Sequence, residues 1–301
     1  MARVKQSGAR PAIACEITSD RVVAARLSEK TQSELEMFTT RHLDPGTVVP
    51  GLGGTNIQDA ASLRSAISGA LGGMGAGSKD VIAVLPDAAI RVLLLEFDAL
   101  PSKPQESEAV VRFRLKKSLP FDADTAALSY DVRQSNGTLQ VVAAISPREV
   151  VEEYETAFRD AGYAPGVLLP SSLAALGLIE GERPTLMLKV DPVNITVAAA
   201  VNRELRLIRT LDNPQGGNVS ALELAETVLP SIVFFEDTFG ARIEHIFIGG
   251  VSRIDEIGPM LHQQTGAEVK ELAPRLSAQQ NLSGDKLPPS AVAGVAGALL
   301  G

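Results

Sequence analysis

The sequence predicts an α/β fold in which one unit of strands and a helix is built twice, with a small α+β block inserted between the copies. Three observations lead there. The order strand-strand-strand-helix-strand occurs near the start of the 301 residues and again in the last third, with no local sequence repeat to mark it. Each copy closes on a continuous apolar run, Asp80–Leu85 and 245–248, of the kind buried on both faces. Between the copies the pattern becomes strand-helix-strand-strand-helix, enough for a subdomain in its own right.

In the first copy, 12–17 and Arg21–Leu27 are short β-rich runs on either side of the turn-like Thr18-Ser19-Asp20, and 33–41 supplies a third strand. A Pro/Gly-rich connector, 44–54, leads to a helix whose Leu63, Ala66, Ile67, Ala70 and Leu71 fall at three-and-four spacing. Asn56 is its expected N-cap and Gly72-Gly73 its stop. The inserted block reads as a strand at Arg91–Phe97, a helix over 105–119, and a hairpin of 127–133 and 139–145 turned by Asn136-Gly137. Its last helix, 147–161, opens with Ser146, Pro147 and Glu149 as cap, first-turn proline and capping-box acid, and ends at Gly162. Residues 170–179 return the chain to the first lobe.

The second copy repeats the order. Strands at 185–189, 195–201 and 204–211 are separated by a turn at 190–194 and a tight Asn202-Arg203. A long helix over 220–239 carries Leu222, Ala225, Val228, Leu229, Ile232 and Phe235, with Gly240 beyond its end. After 245–248 and Gly249-Gly250 come a helix over Ile254–Thr265, stopped by Gly266, a strand at 268–272, and a closing small-residue helix over 288–300. Three antiparallel strands extended by helix-crossed parallel ones is the ribonuclease-H-like topology. Two copies facing each other make the actin-like ATPase architecture. The expected division is a first lobe over 1–85 completed by 166–183, the inserted α+β subdomain over 86–165, and a second lobe over 184–301.

Composition narrows the function. Apolar residues at 45% and charged residues at 21% are ordinary for a soluble globular chain. The net charge of -8 argues against non-specific nucleic-acid binding, which needs phosphates neutralised by Lys and Arg. A single cysteine, Cys15, excludes a disulfide framework, and His42, His245 and His262 lack ligand-like spacing, so no metal site is expected. Arg3, Lys5 and Arg10 ahead of Ala12-Ile13-Ala14-Cys15 imitate a lipoprotein leader, but residues 6–11 are polar where an apolar stretch of roughly 7–15 residues is needed. Nor does any run approach the roughly 18 apolar residues of a membrane helix. The expectation is a cytoplasmic protein.

A fold of this class holds a nucleotide between its lobes, phosphates against the first hairpin turn of each copy, where backbone N–H groups point at oxygen and glycine allows close approach. The first turn, residues 16–20, offers an acid and hydroxyls but no glycine; the second, 189–194, also lacks glycine, and Pro192 removes a donor. Both turns read either as a weakened phosphate site or as hairpin turns kept for structure. Gly249-Gly250 would let a purine or ribose approach the backbone, or would simply permit a turn. The candidate nucleotide-binding residues are therefore Glu16, Ser19, Asp191, Asn194, Gly249 and Gly250, with ATP and Mg²⁺ as the weak cofactor expectation. No Walker loop, dinucleotide fingerprint or nucleophile elbow is present, so no catalytic residue is named. Two charged groups mark the inserted block: Arg112, Arg114, Lys116 and Lys117 on one helix, Glu149, Glu152, Glu153 and Glu155 on the next. Each reads as a docking face for anionic lipid or an acidic partner, or as a solvated helix face.

Several segments carry a resemblance. Val84-Leu85-Pro86, Leu100-Pro101, residues 112–121 (RFRLKKSLPF), Ser129-Tyr130-Asp131-Val132, 141–146, Tyr154, Ala161-Gly162-Tyr163 with Pro165, 246–250 and 290–300 together resemble the type IV pilus assembly PilM family over nearly the whole chain. The resemblance implies an actin-like fold related to the division protein FtsA. It implies a scaffold that binds the short cytoplasmic N-terminal tail of an inner-membrane PilN-like protein, in a groove involving the first lobe and the inserted subdomain. It places the chain at the inner membrane only through that partner, and self-association is compatible with it. ATP is bound between the lobes in some members. The family's acid-Ile-Gly-Ser turn matches at Glu16, Ile17 and Ser19, but Thr18 replaces the glycine; in the second turn Lys189 stands for an acid and Asp191 for a glycine. These departures imply a degraded or weak nucleotide site without hydrolysis. The alternatives are an ATP-dependent small-molecule kinase of the same superfamily and a GspL-like type II secretion component.

Overall fold

The structure, a computed structural model, describes residues 10–29, 33–75, 77–135, 137–216, 219–251, 253–274 and 288–301. Arg3 and Lys5 of the basic start and Asn136 of the hairpin turn lie outside the described residues.

Alternation along each strand sorts the first lobe into two faces. β1 (Ile13–Ile17) pairs antiparallel with β2 (Arg21–Leu27), and β2 with β3 (Leu35–His42). Ile13, Cys15 and Ile17 of β1 enter one core; Ala14 enters another, on the opposite face. The first face is covered by α1 (Ala60–Gly72), which buries Leu63, Ala66, Ile67, Ala70 and Leu71. β4 (Asp80–Leu85) then lies parallel to β1, as its unbroken apolar run requires. The cap of α1 is Asp59, whose side chain accepts from the backbone of Ala61 and Ser62. Asn56 is instead fully buried three residues earlier. It ties the connector to itself through Gly51 N (2.8 Å) and accepts from Tyr154 Oη (3.2 Å).

Within the expected inserted block a separate sheet forms. β5 (Arg91–Phe97), α2 (Pro104–Leu115), β6 (Ala127–Ser135) and β7 (Thr138–Ser146) form a three-stranded sheet in the order β5-β7-β6, with Val111 and Leu115 of α2 packed on Val141, Ala143 and Ile145. α2 stops earlier than expected and tightens into a 3₁₀ turn at Lys116–Ser118. The following helix, α3 (Arg148–Asp160), buries Val150, Tyr154, Ala157 and Phe158 in the first-lobe core beside α1. Its expected capping box is absent. Ser146 Oγ donates to Ala89 O (2.8 Å) instead, because the burial of this residue puts its hydroxyl beside that carbonyl. β8 (Ala164–Pro170), which the sequence pattern did not reveal, extends the first sheet to β3-β2-β1-β4-β8, so the boundary expected at 165/166 falls inside a strand.

The second lobe repeats this order. α4 (Ser171–Ala175) leads across to β9 (Thr185–Val190), β10 (Asn194–Val201) and β11 (Glu204–Asp212). Asn202 and Arg203 both take positive φ in their hairpin turn (51° and 64°), the combination that matches strand twist. α5 (Ala221–Phe239) opens with a capping box of Ser220 and Glu223 and ends at left-handed Gly240. β12 (His245–Gly249), α6 (Ile254–Thr265) and β13 (Glu268–Glu271) complete a sheet ordered β11-β10-β9-β12-β13, the same order as in lobe one.

α7 (Ala293–Leu300), preceded by a 3₁₀ turn at Pro289–Val292, returns to the first lobe. Together α4 and α7 lie between the sheets: Ala174, Val295, Ala296 and Leu299 pack on β1, β2 and β4, while Ala175 and Ala293 pack with Met187 and Ala198 of the second sheet. Small residues let these helices touch backbone to backbone; a Cβ on Gly297 would overlap the Ala174 carbonyl oxygen. Arg10 donates to the carbonyls of Ala298 (2.6 Å) and Gly301 (2.7 Å), satisfying the end of α7. Among the described residues no helix is long and apolar enough to cross a membrane.

Candidate functional site

β1 and β9 each direct one ionisable side chain into the space between the sheets. In β1 the apolar neighbours Cys15 and Ile17 face α1, so Glu16 faces α7 and the second lobe, buried to 2% exposure. In β9 Leu188 and Val190 face α5 and α6, so Lys189 faces back toward the first lobe. Its ammonium donates to both carboxylate oxygens of Asp191 (2.8 and 2.7 Å) and stands 3.4 Å from Glu16 Oε1. Ser171, the first residue of α4, donates its hydroxyl to Glu16. A Cβ on Gly294 of α7 would overlap that carboxylate, so glycine alone lets α7 pass.

A third carboxylate completes the cluster. Asp87, in a 3₁₀ turn (Asp87–Ala89) just after β4, accepts from Ser172 N (2.9 Å), Ser172 Oγ (2.8 Å) and, across the lobes, Thr196 Oγ1 (3.1 Å). Burial pushes its pKa up to about 6; Lys189 pulls it down, Asp191 pushes it up, and the Ser172 hydrogen bonds lower it. Burial disfavours the Lys189 ammonium, but Asp191, Glu16 and Asp87 outweigh it and hold that group above the usual lysine range. Beside them Cys15 is inert, its thiol pushed up first by burial and then by Glu16.

The expected nucleotide residues separate. Glu16, Asp191 and Gly250 line one cavity of about 210 Å³ together with Arg21, Lys189 and Ser290. Gly250 has φ +81°, and a Cβ there would overlap the Val190 carbonyl oxygen, so close backbone packing accounts for this glycine. Gly249 packs on Leu272 and Ser290 without lining the cavity. Ser19 is half-buried in its turn, outside the lining. Asn194 is buried at the start of β10; its backbone oxygen accepts from Asp191 N (2.8 Å), and its Nδ2 has no hydrogen-bond partner among the described residues. Sequence reasoning missed Asp87, Ser171, Ser172 and Thr196. A signal existed for Lys189 alone, a charge inside the otherwise apolar run TLMLKV.

A second cavity, about 570 Å³, lies between the face of the inserted sheet turned away from α2 and the body of the molecule. Arg133 and Val142 line one wall, Leu176 and Ile179 a second, Arg203 and Leu205 a third. Its size falls within the roughly 300–1,000 Å³ of ordinary ligand sites, whereas the inter-lobe cavity is smaller. The charged groups of the inserted block also resolve. Arg112 is spent on Ala126 O (3.0 Å), Ala123 O and Glu108, and Lys116 pairs with Asp124 (2.6 Å). Glu153 accepts from the backbone of Asn56 (2.9 Å) and Ile57 (2.7 Å), stapling the connector to α3.

A chain of a PilM–PilN type IV pilus biogenesis complex superposes on this one with a TM-score of 0.80 at 19% identity, covering 97% of this chain and all of that one. The fold is actin-like. The same actin-like frame matches the cytoplasmic domain of EpsL, an inner-membrane component of the type II secretion system of Vibrio cholerae (TM-score 0.55, 10% identity, 96% and 94% covered). It also matches the ethanolamine utilization protein EutJ from Carboxydothermus hydrogenoformans (0.51, 9% identity, 96% and 88% covered). No protein-family model and no curated protein matches the sequence.

Proposed function

We propose that this chain is an actin-like scaffold of a type IV pilus inner-membrane assembly platform, and that it binds the short cytoplasmic tail of a PilN-like membrane protein. The observation that carries the reading is the full-length likeness to a chain of the PilM–PilN complex, together with a peptide-sized groove beside the inserted sheet. On this reading the protein works in the cytoplasm and meets the inner membrane through its partner. The groove suits an extended segment: apolar Val142, Leu176, Ile179 and Leu205 accept alternate side chains, and Arg203 and the Arg133–Asp131 pair offer partners to its backbone. A labelled peptide of the tail, titrated with the full chain and read by fluorescence anisotropy, tests this. Saturable binding that Val142→Asp and Leu176→Asp abolish is expected; no association at high micromolar concentration overturns it.

The scaffold works without a nucleotide. Glu16 and Asp191, the acids available to orient a hydrated Mg²⁺, are already engaged by Lys189, and the cavity beside them, about 210 Å³, is below the roughly 300–1,000 Å³ of ordinary ligand sites, which supports this reading. ATP with Mg²⁺ at millimolar concentration should leave the melting temperature unchanged. A rise of several degrees, with turnover lost in Asp191→Ala, would favour the small-molecule kinase. A GspL-like role in type II secretion is the second reading, favoured by the likeness to the EpsL domain. It predicts capture of a secretion-system partner in place of the pilus tail.

A further inference from the structure

Among the described residues nine large apolar side chains are strongly exposed, and six of them fall on two helices: Val110 and Phe113 on α2, and Leu222, Val233, Phe234 and Phe239 on α5. Phe113 is 72% exposed. Water-facing apolar side chains concentrated on two elements mark contact surfaces better than scattered ones do.

Among the described residues, the charges left without an ion partner on the two helices differ in sign. α5 holds Glu223, Glu226, Glu236 and Asp237 and no Lys or Arg. Its outer ridge runs Leu222, Glu226, Leu229, Val233, Asp237, at helical spacing, and Glu226 and Asp237 make no ion pair or hydrogen bond among the described residues. On α2 and its 3₁₀ extension, Glu106 pairs with Lys103, Glu108 with Arg112, and Lys116 with Asp124, while Arg114 and Lys117 are exposed beside Val110 and Phe113 and make no ion pair among the described residues. Each face is thus a short apolar ridge edged by carboxylates or cations without an ion partner among the described residues, basic on α2 and acidic on α5, where Arg209 stacks 4.4 Å over the Phe234 ring.

We infer that these faces are the two halves of one interface, and that the chain associates head to tail with a second copy, α2 of one copy seated on α5 of the next. Like faces repel: α5 against α5 sets carboxylates against carboxylates, and α2 against α2 sets cations together. The mixed pairing covers Phe113 and Val110 with Leu222 and Val233 and brings Arg114 and Lys117 to Glu226 and Asp237. A contact between two different patches is heterologous, so each copy keeps one face free for a further copy. With so few residues on each side the contact belongs to the small, weak class below roughly 1,200 Å².

Sedimentation velocity of the full chain, from about 10 µM to 1 mM and at low and high salt, tests the inference. Larger species should grow with concentration and recede in high salt, as charges at a solvent-exposed rim are screened. Phe113→Glu and Val233→Glu should each be monomeric alone; mixed, they should form a one-to-one pair and nothing larger, because only one good α2–α5 contact remains. Lys117→Glu and Glu226→Lys repeat the test without touching apolar residues: each should weaken association, and their mixture should restore it. Circular dichroism melts check that the variants fold. A wild-type chain that stays monomeric to 1 mM, a Glu variant that still assembles alone, or a mixture that fails to pair overturns the inference.

Discussion

Lys189 Nζ in the second lobe stands 3.4 Å from Glu16 Oε1 in the first, a contact that joins two sheets sharing no strand. Both side chains are buried, and Asp191 and Asp87 supply further negative charge around the same ammonium. The cluster therefore acts as an internal latch between the lobes, with the chain's own cation compensating its acids.

Removing that cation leaves buried carboxylates without compensation. Lys189→Met should cost about 3–5 kcal/mol of stability, the range for breaking a buried ion pair by deleting one partner. Urea unfolding measures it. Adding Asp191→Asn should recover part of the loss, since the two positions are in direct contact and their effects do not add.

Asp87 makes stability depend on pH. Its folded-state pKa of about 6 lies above the unfolded value near 3.9, so between those values the folded chain keeps a proton that the unfolded chain has released. Stability contributed at this site is thus highest at low pH, falls as pH rises from about 4 to 6, and is level above; the drop is roughly 3 kcal/mol at most. Asp87→Asn, which stays neutral and can still accept from Ser172, should remove this part of the slope and be more stable than wild type at pH 8 but not at pH 4. Denaturation midpoints across that range decide it.

Two helical glycines should respond oppositely to alanine. At Gly294 the new methyl meets the Glu16 carboxylate under a tightly packed helix, and overpacking of this kind costs about 1–3 kcal/mol. At Gly72, the last residue of α1, the methyl would meet no atom within 4 Å, so helix propensity prevails and the variant gains roughly 0.5–1 kcal/mol. Thermal melts of the two variants should move in opposite directions.

Glu153 should control the connector. Its carboxylate accepts two backbone N–H groups at Asn56 and Ile57, and Glu153→Ala leaves both donors to find water. A loss of about 1–3 kcal/mol is expected. Hydrogen exchange should rise between Thr47 and Asn56 first, with β1 and β4 protected as before.

The elements of both lobes could be read because their signals are local. Apolar alternation, three-and-four spacing, the Ser220–Glu223 box and the glycines at 240 and 266 act within a few residues of themselves. The caps misread at Asn56 and Ser146 show the limit. Each residue has the right chemistry to cap, but tertiary packing puts its polar atoms beside a distant partner, Tyr154 in one case and Ala89 in the other. β8 went unread for a related reason. A strand reading APGVLLP has little pattern of its own, and it becomes a strand because β4 offers it an unpaired edge.

By itself the sequence determined the duplicated α/β plan, the inserted block, the acidic and nearly cysteine-free character of the chain, and the lack of glycine in the first hairpin turn of each copy. Tertiary structure alone decided which ionisable groups meet. Glu16, Asp87, Ser171, Lys189 and Thr196 come from five separate elements, and nothing in their spacing announces a cluster. Local pattern is set by torsion preference and solvent contact along one segment. The meeting of charges depends on how two sheets close over α4 and α7, a property of the whole packed chain.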